Sequence, residues 1–249
     1  IRDAATGSFT GLDKGGVGAI FEGFLASPGE LLSWHSVFML LTVIIVAMGV
    51  SSGLERGSKL MMPALALILI VMVGYGMTTG AFGQAIAYLF NPDWSKLDGS
   101  VLLAALGHAF FTLSLGMGIM MAYGSYLGED VNLLRTARTV VIMDTVFALC
   151  AGLAIFPIVF ANGLDPAAGP GLVFVTLPLA FGNMGGGLVL GTLFFLLLTF
   201  AALTSSISLL EPVVELLEER TPMNRVTATV VAGLTIWALG IAALLSFNV

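Results

Sequence analysis

Long apolar runs separated by short polar clusters set the pattern of this chain. The runs fall at about residues 34–50, 60–77, 101–127, 139–162, 188–210 and 226–247. Each has roughly the 17–25 residues that a ~30 Å hydrocarbon core requires. The pattern predicts six transmembrane helices. Residues 1–32 are patchily apolar and rich in glycine, and read as an outer loop with a short interfacial helix near 20–25, ended by Pro28-Gly29. Residues 78–99 read as a loop with an apolar patch at 81–90, and 163–187 as a loop whose apolar stretch 172–181 packs on the outer face. Pro212 is expected to kink or end the fifth span, because proline has no N–H to continue the ladder.

Composition agrees with this class. Hydrophobic residues make up 58% of the 249 and charged residues only 10%, against about 25% charged in a soluble domain. The chain is an all-α membrane protein. A net charge of −6 without a basic cluster gives nucleic acid no purchase. Cys150 lies in an apolar run and reads as a small hydrophobe. Lys and Arg mark the cytoplasmic loops: Arg56 and Lys59, Arg135 and Arg138, Arg220 and Arg225, against Lys96 alone on the other side. That puts both chain ends outside. With Ile1 in first place, the expectation is a piece of a longer protein.

One stretch in the third run stands out, Gly107-His108-Ala109-Phe110-Phe111-Thr112-Leu113-Ser114-Leu115-Gly116-Met117-Gly118. Paired glycines beside hydroxyls weaken a helix there. A break in hydrocarbon must line a protein cavity or a ligand site, since lipid cannot satisfy the freed backbone groups. Close helix packing through small residues is the alternative. Ala201-Ala202-Leu203-Thr204-Ser205-Ser206 sets three hydroxyls at mid-depth of the fifth run. They either bond back to their own helix or face a polar solute. Asp144 is a carboxylate inside the fourth run, costly there and by default functional; a snorkelling or protonated acid is the alternative. His108 shares a helical face with Thr112, and a satisfied core histidine would look the same. Nothing resembles a hydrolase triad, phosphate loop or metal-ligand spacing, so no enzymatic chemistry is expected.

At Phe110–Gly118 taken with Leu203-Thr204-Ser205-Ser206, the chain resembles the neurotransmitter:sodium symporter family, bacterial amino-acid transporters above all. The resemblance extends to Asn91-Pro92-Asp93-Trp94-Ser95-Lys96-Leu97, Ala168-Gly169-Pro170-Gly171-Leu172-Val173-Phe174, and the pair Gly53 and Pro63. It implies helices four to nine of a twelve-helix inverted-repeat (LeuT-like) transporter fold, with the weak stretch as broken helix six. Substrate contacts would come from Phe111, Thr112, Ser114, Met117, Ser205 and Leu209. One sodium would be held by Thr112 and Asp144, another by the Ala201 carbonyl, Thr204 and Ser205. Tyr126 and Glu219 would form an inner gate, and His108 stands where relatives often carry Gln. Gly53 and Pro63 would let helix five unwind. Asp144 occupies a position that is Asn in many relatives, and Ala148 one that is Ser in chloride-dependent members.

The resemblance thus implies a multi-pass protein of the cell membrane, the inner membrane of a bacterium, that couples Na⁺ entry to uptake of a small apolar L-amino acid without chloride. Na⁺ is a co-transported ion; no cofactor is implied. Its partners would be the amino acid, Na⁺, the lipid bilayer and the missing helices of the full-length protein, with a homodimer left open. Transport of glycine or another small amine, and a non-transporting receptor or scaffold on the same fold, are the rival readings. A channel or membrane enzyme would need pore rings, a nucleophile or a metal cluster.

Overall fold

The computed structural model describes residues 1–49, 55–166 and 171–246. Val50, Gly53, the 168–170 part of the outer-loop run, and Phe247 lie outside the described residues. Among the described residues every regular element is helical: α1 (Arg2–Ala5), α2 (Lys14–Leu25), α3 (Pro28–Ala47), α4 (Glu55–Thr78), α5 (Phe82–Phe90), α6 (Gly99–Thr112), α7 (Ile119–Ser125), α8 (Leu133–Ala161), α9 (Leu177–Asn183), α10 (Gly187–Arg220) and α11 (Arg225–Leu245). Five of them, α3, α4, α8, α10 and α11, are long and apolar enough to cross a membrane. The third apolar run is not one helix. It is split into α6 and α7.

The helices run past the apolar stretches because their ends are set by capping groups outside the hydrocarbon. Pro28 follows the end of α2 at Leu25 by three residues, as expected, and also opens α3 at its first turn, where its missing N–H is no loss. Asn132 accepts from the Arg135 N–H and starts α8 six residues before its apolar run. Asn224 does the same for α11 through Thr227. Pro212 does not end α10, which continues to Arg220. Proline's φ suits a helix, and buried neighbours on both sides, Leu210 and Val214, hold that turn in place. The expected outer loops are also partly helical, with α5 over the apolar patch, and a π-helical turn Leu172–Thr176 leading into α9. Phe21 of α2 stacks on Phe174 of that turn with ring centroids 5.1 Å apart.

At 34 residues and about 51 Å, α10 is the axis of the fold. One apolar cluster gathers Met72, Ile158, Leu177, Phe181 and Phe194 from α4, α8, α9 and α10. A second gathers Val46, Met61, Ile207, Leu210, Val214 and Ala228 from α3, α4, α10 and α11. Lipid tails are as apolar as leucine, so close fit and polar ties between helices must hold such a bundle. Gly76 of α4 lies against Leu153 of α8, whose carbonyl has no helical donor because residue 157 is proline; a Cβ at Gly76 would sit 3.0 Å from that oxygen. Trp237 Nε1 donates to Ser36 Oγ at 3.0 Å, and His35 Nε2 to the Trp237 carbonyl at 3.2 Å, tying α11 to α3. Outward-facing Leu60, Leu67, Ile70, Leu103 and Leu134 are 63–83% exposed, a surface suited to hydrocarbon.

Candidate functional site

The break in the third run has a defined geometry. Leu115 N–H donates to Phe110 O at 2.8 Å and Ser114 N–H to Phe111 O at 3.1 Å, the paired closure of a Schellman motif. That motif needs a left-handed residue at the position of Ser114, and Ser114 has φ 56°. It is the one non-glycine with positive φ among the described residues. Gly116 at 81° and Gly118 at 79° then turn the chain into α7. Residues 113–118 are therefore non-helical, and the two glycines supply backbone angles that side chains resist. Among the described residues, no backbone donor is set against the carbonyls of Thr112, Leu113 or Ser114.

The two halves of this helix are held by different neighbours. Thr112, the last residue of α6, donates its hydroxyl to Asp144 Oδ1 of α8 at 2.9 Å. Asp144 is half-buried, about 16 Å along α8 from Leu133. No residue of α6 is buried. α7 and its C-cap residue Tyr126 instead bond to α10 three times: Tyr123 to Ser208 at 2.7 Å, Ser125 Oγ to Glu215 Oε1 at 2.7 Å, and Tyr126 Oη to Glu211 Oε1 at 2.5 Å.

On α10, hydroxyls and a carbonyl converge. Thr204 Oγ1 donates to the Ala201 carbonyl at 2.9 Å and lies 3.1 Å from that of Phe200. Ser205 Oγ donates to the same Ala201 carbonyl at 3.0 Å. Three oxygens of the expected second sodium set therefore share one turn. Their hydroxyls bond back to their own helix, yet keep lone pairs on Thr204 and Ser205. Ser206 bonds the buried Thr42 of α3 at 2.8 Å.

The other named residues are more scattered. Phe111, Met117 and Leu209 are 73%, 42% and 53% exposed, Ser205 is exposed, and Ser114 is half-buried. No hydrogen bond joins the α6 group to the α10 group among the described residues. His108 is exposed on α6 and makes no bond with Asp144. The acid that meets Tyr126 is Glu211, while Glu219 lies exposed two turns further along α10.

Glu211 and Arg225 are the pair that sequence reading passed over. Glu211 is fully buried, and Arg225 is 20% exposed. Arg225 Nη2 donates to Glu211 Oε1 at 2.8 Å and Oε2 at 2.6 Å, Nη1 to Glu218 Oε2 at 3.2 Å, and Nε to the Val46 carbonyl at 3.0 Å. One guanidinium thus ties the end of α3, the lower part of α10 and the start of α11. The available signal was the buried stripe Leu203, Ile207, Leu210 and Val214, into which Glu211 falls by helical spacing.

The model of the sodium:neurotransmitter symporter family matches residues 19–247. An uncharacterized sodium-dependent transporter of Bacillus subtilis is 39% identical over 249 residues, which is all of this chain and 55% of that protein. Another, of Haemophilus influenzae, is 38% identical over 223 residues, 89% of this chain and 49% of that protein. The crystal structure of MhsT in complex with L-phenylalanine superposes with a TM-score of 0.88 at 46% identity, covering 100% of this chain and 56% of MhsT. The chain spans about half the length of these relatives, and its apolar, multi-pass helical fold superposes on that of MhsT. It belongs to the sodium:neurotransmitter symporter family.

Proposed function

We propose that this chain forms the central part of a Na⁺-coupled symporter for an apolar L-amino acid. The observation that carries the reading is the bond between Thr112, at the broken end of α6, and Asp144, inside α8. A hydroxyl held on a carboxylate beside unpaired carbonyls is a set of hard oxygen ligands suited to a small cation. Thr112 would serve cation and substrate together, with Asp144 completing that cation site. The Ala201 carbonyl, Thr204 and Ser205 would hold a second Na⁺.

The pocket would be walled by Phe111, Ser114 and Met117 on one side and by Ser205 and Leu209 on the other. No charged group lies among these walls, which favours apolar side chains. The 46% identical neighbour was captured with one such amino acid, L-phenylalanine. Tyr126, Glu211 and Arg225 would close the cytoplasmic end in the membrane of the cell, with helices outside this chain completing both sites. Asp144 would supply the fixed negative charge that chloride brings elsewhere, so transport would be chloride-independent.

The test is scintillation-proximity binding of a panel of labelled amino acids to the full-length protein, with NaCl, KCl and sodium gluconate in parallel. Binding of apolar amino acids in both sodium salts and not in KCl is expected. Binding indifferent to Na⁺ would overturn the symporter reading; a steep loss in gluconate would overturn the chloride claim alone.

A further inference from the structure

Of the three bonds from α7 and its C-cap to α10, one leads onward to the turn that carries the candidate cation oxygens. Ser208 Oγ donates to the carbonyl of Thr204 at 3.0 Å. Tyr123 Oη stands 2.7 Å from Ser208 Oγ. A serine hydroxyl has a single proton. With that proton on the Thr204 carbonyl, the tyrosine must be the donor. The two hydroxyls form a directed relay, Tyr123 O–H to Ser208, then Ser208 O–H to Thr204 C=O. Separately, the Thr204 hydroxyl donates to the Ala201 carbonyl, which also accepts from Ser205. The relay ends on the turn 201–205.

Two helices brace this turn from different origins. Ser206 is held by Thr42 of α3, itself buried in the bundle. Tyr123 belongs to α7, which joins α6 only through the non-helical residues 113–118. The backbone there is left-handed at Ser114, Gly116 and Gly118, so a few dihedral changes would move α7 without moving α6. A donor on the first hydroxyl polarises the second and strengthens its bond to the carbonyl. Docking of α7 thereby holds the Thr204 carbonyl, and with it the turn that carries the Ala201, Thr204 and Ser205 oxygens.

We propose that Tyr123 is a positioning residue for the cation site on α10, acting through Ser208 on Thr204. Cation occupancy and docking of α7 on α10 then strengthen one another, because a coupling between two sites acts equally in both directions. The inference rests on the reading of Ala201, Thr204 and Ser205 as a Na⁺ site.

The test uses the full-length protein in detergent and Na⁺ as the only added ligand, with KCl keeping ionic strength constant. Two quantities are read: the Na⁺ concentration at half-maximal thermal shift, and hydrogen exchange across α7. Removing one hydroxyl in Tyr123→Phe should raise the half-maximal Na⁺ about two- to tenfold, the range a single hydrogen bond supports. It should also abolish the Na⁺-dependent protection of α7. Ser208→Ala should do the same. In the Ser208→Ala background, Tyr123→Phe should add nothing further. Should Tyr123→Phe fold poorly, Ser208→Ala carries both readouts alone. An unchanged midpoint in Ser208→Ala, or full additivity of the two variants, overturns the relay. A wild type with no Na⁺-specific shift overturns the cation site itself.

Discussion

Arg225 closes on Glu211 from the first turn of the next helix, with Nη2 at 2.8 and 2.6 Å from the two carboxylate oxygens. The carboxylate has no exposure to solvent. Its charge is tolerated because the guanidinium and the Tyr126 hydroxyl both donate to it. Removing one partner of a buried pair strands the other, at about 3–5 kcal/mol, whereas replacing both with apolar residues is often nearly neutral. Arg225→Met should therefore lower stability by about that amount. Glu211→Leu combined with Arg225→Met should recover most of it. Thermal unfolding of the purified full-length protein, compared across the single and double variants, checks both expectations.

Ser114 holds a conformation that the Schellman closure demands and that an L-residue resists by about 1–2 kcal/mol. Glycine removes that strain and gives back about 0.5–1 kcal/mol through its freer unfolded chain. Ser114→Gly should raise stability by about 0.5–1 kcal/mol. Ser114→Val should lower it, because a β-branched residue is a severe outlier at positive φ. If the Ser114 hydroxyl contacts substrate, the glycine variant will be more stable yet bind the amino acid more weakly. Melting temperature and ligand affinity, measured on the same samples, separate the two effects.

What could be read from the chain and what could not divides along local and tertiary lines. Gly116 and Gly118 betray the break because their freedom is a property of glycine itself. Ser114 does not, since nothing in serine announces a left-handed angle that only the closure around Phe110 and Phe111 imposes. The apolar runs locate the hydrocarbon, but the caps at Asn132 and Asn224 lie beyond it and set the helix ends. Thr112 and Asp144 could be paired only through a family resemblance, being 32 residues apart and on different helices. Glu211 was harder still. Its partner Arg225 lies 14 residues on, past the turn that joins two helices, and no local spacing links the two.

Asp98 caps α6 and gives it a pH dependence of known sign. Its carboxylate accepts from the Ser100 hydroxyl at 2.6 Å and from the Val101 N–H at 2.9 Å. Those bonds, the hydroxyl first, hold its pKa below the usual carboxylate value. A lowered folded pKa means that the stabilisation is complete above the unfolded value, about 3.9, and is lost as pH falls through the folded one. The first turn of α6 should exchange amide hydrogens faster below about pH 4, after correction for intrinsic rates. Asp98→Ala should exchange faster at every pH. Asp98→Asn should keep the cap and lose the acid-dependent part. Equal protection in the wild type at pH 3 and pH 6 would remove the cap from the account of how α6 begins.

Asp144→Asn separates geometry from charge at the broken helix. The asparagine carbonyl can still accept the Thr112 hydroxyl, so the 2.9 Å bond and the approach of α6 to α8 should survive. What disappears is a negative charge beside the proposed cation. A bond to a charged group contributes about 1.5–3 kcal/mol, against about 1 for a neutral one. The half-saturating Na⁺ concentration should therefore rise about tenfold, with unfolding temperature in KCl almost unchanged. Chloride should begin to matter, restoring part of the lost Na⁺ affinity when it replaces gluconate. Asp144→Ala, which loses the bond as well, should bind Na⁺ more weakly still and gain less from chloride, because Thr112 is no longer held in place. A Na⁺ titration of amino-acid binding in chloride and in gluconate, run on wild type and both variants, distinguishes these outcomes. Equal Na⁺ affinity in wild type and Asp144→Asn would mean that the carboxylate orients Thr112 and does not neutralise the cation.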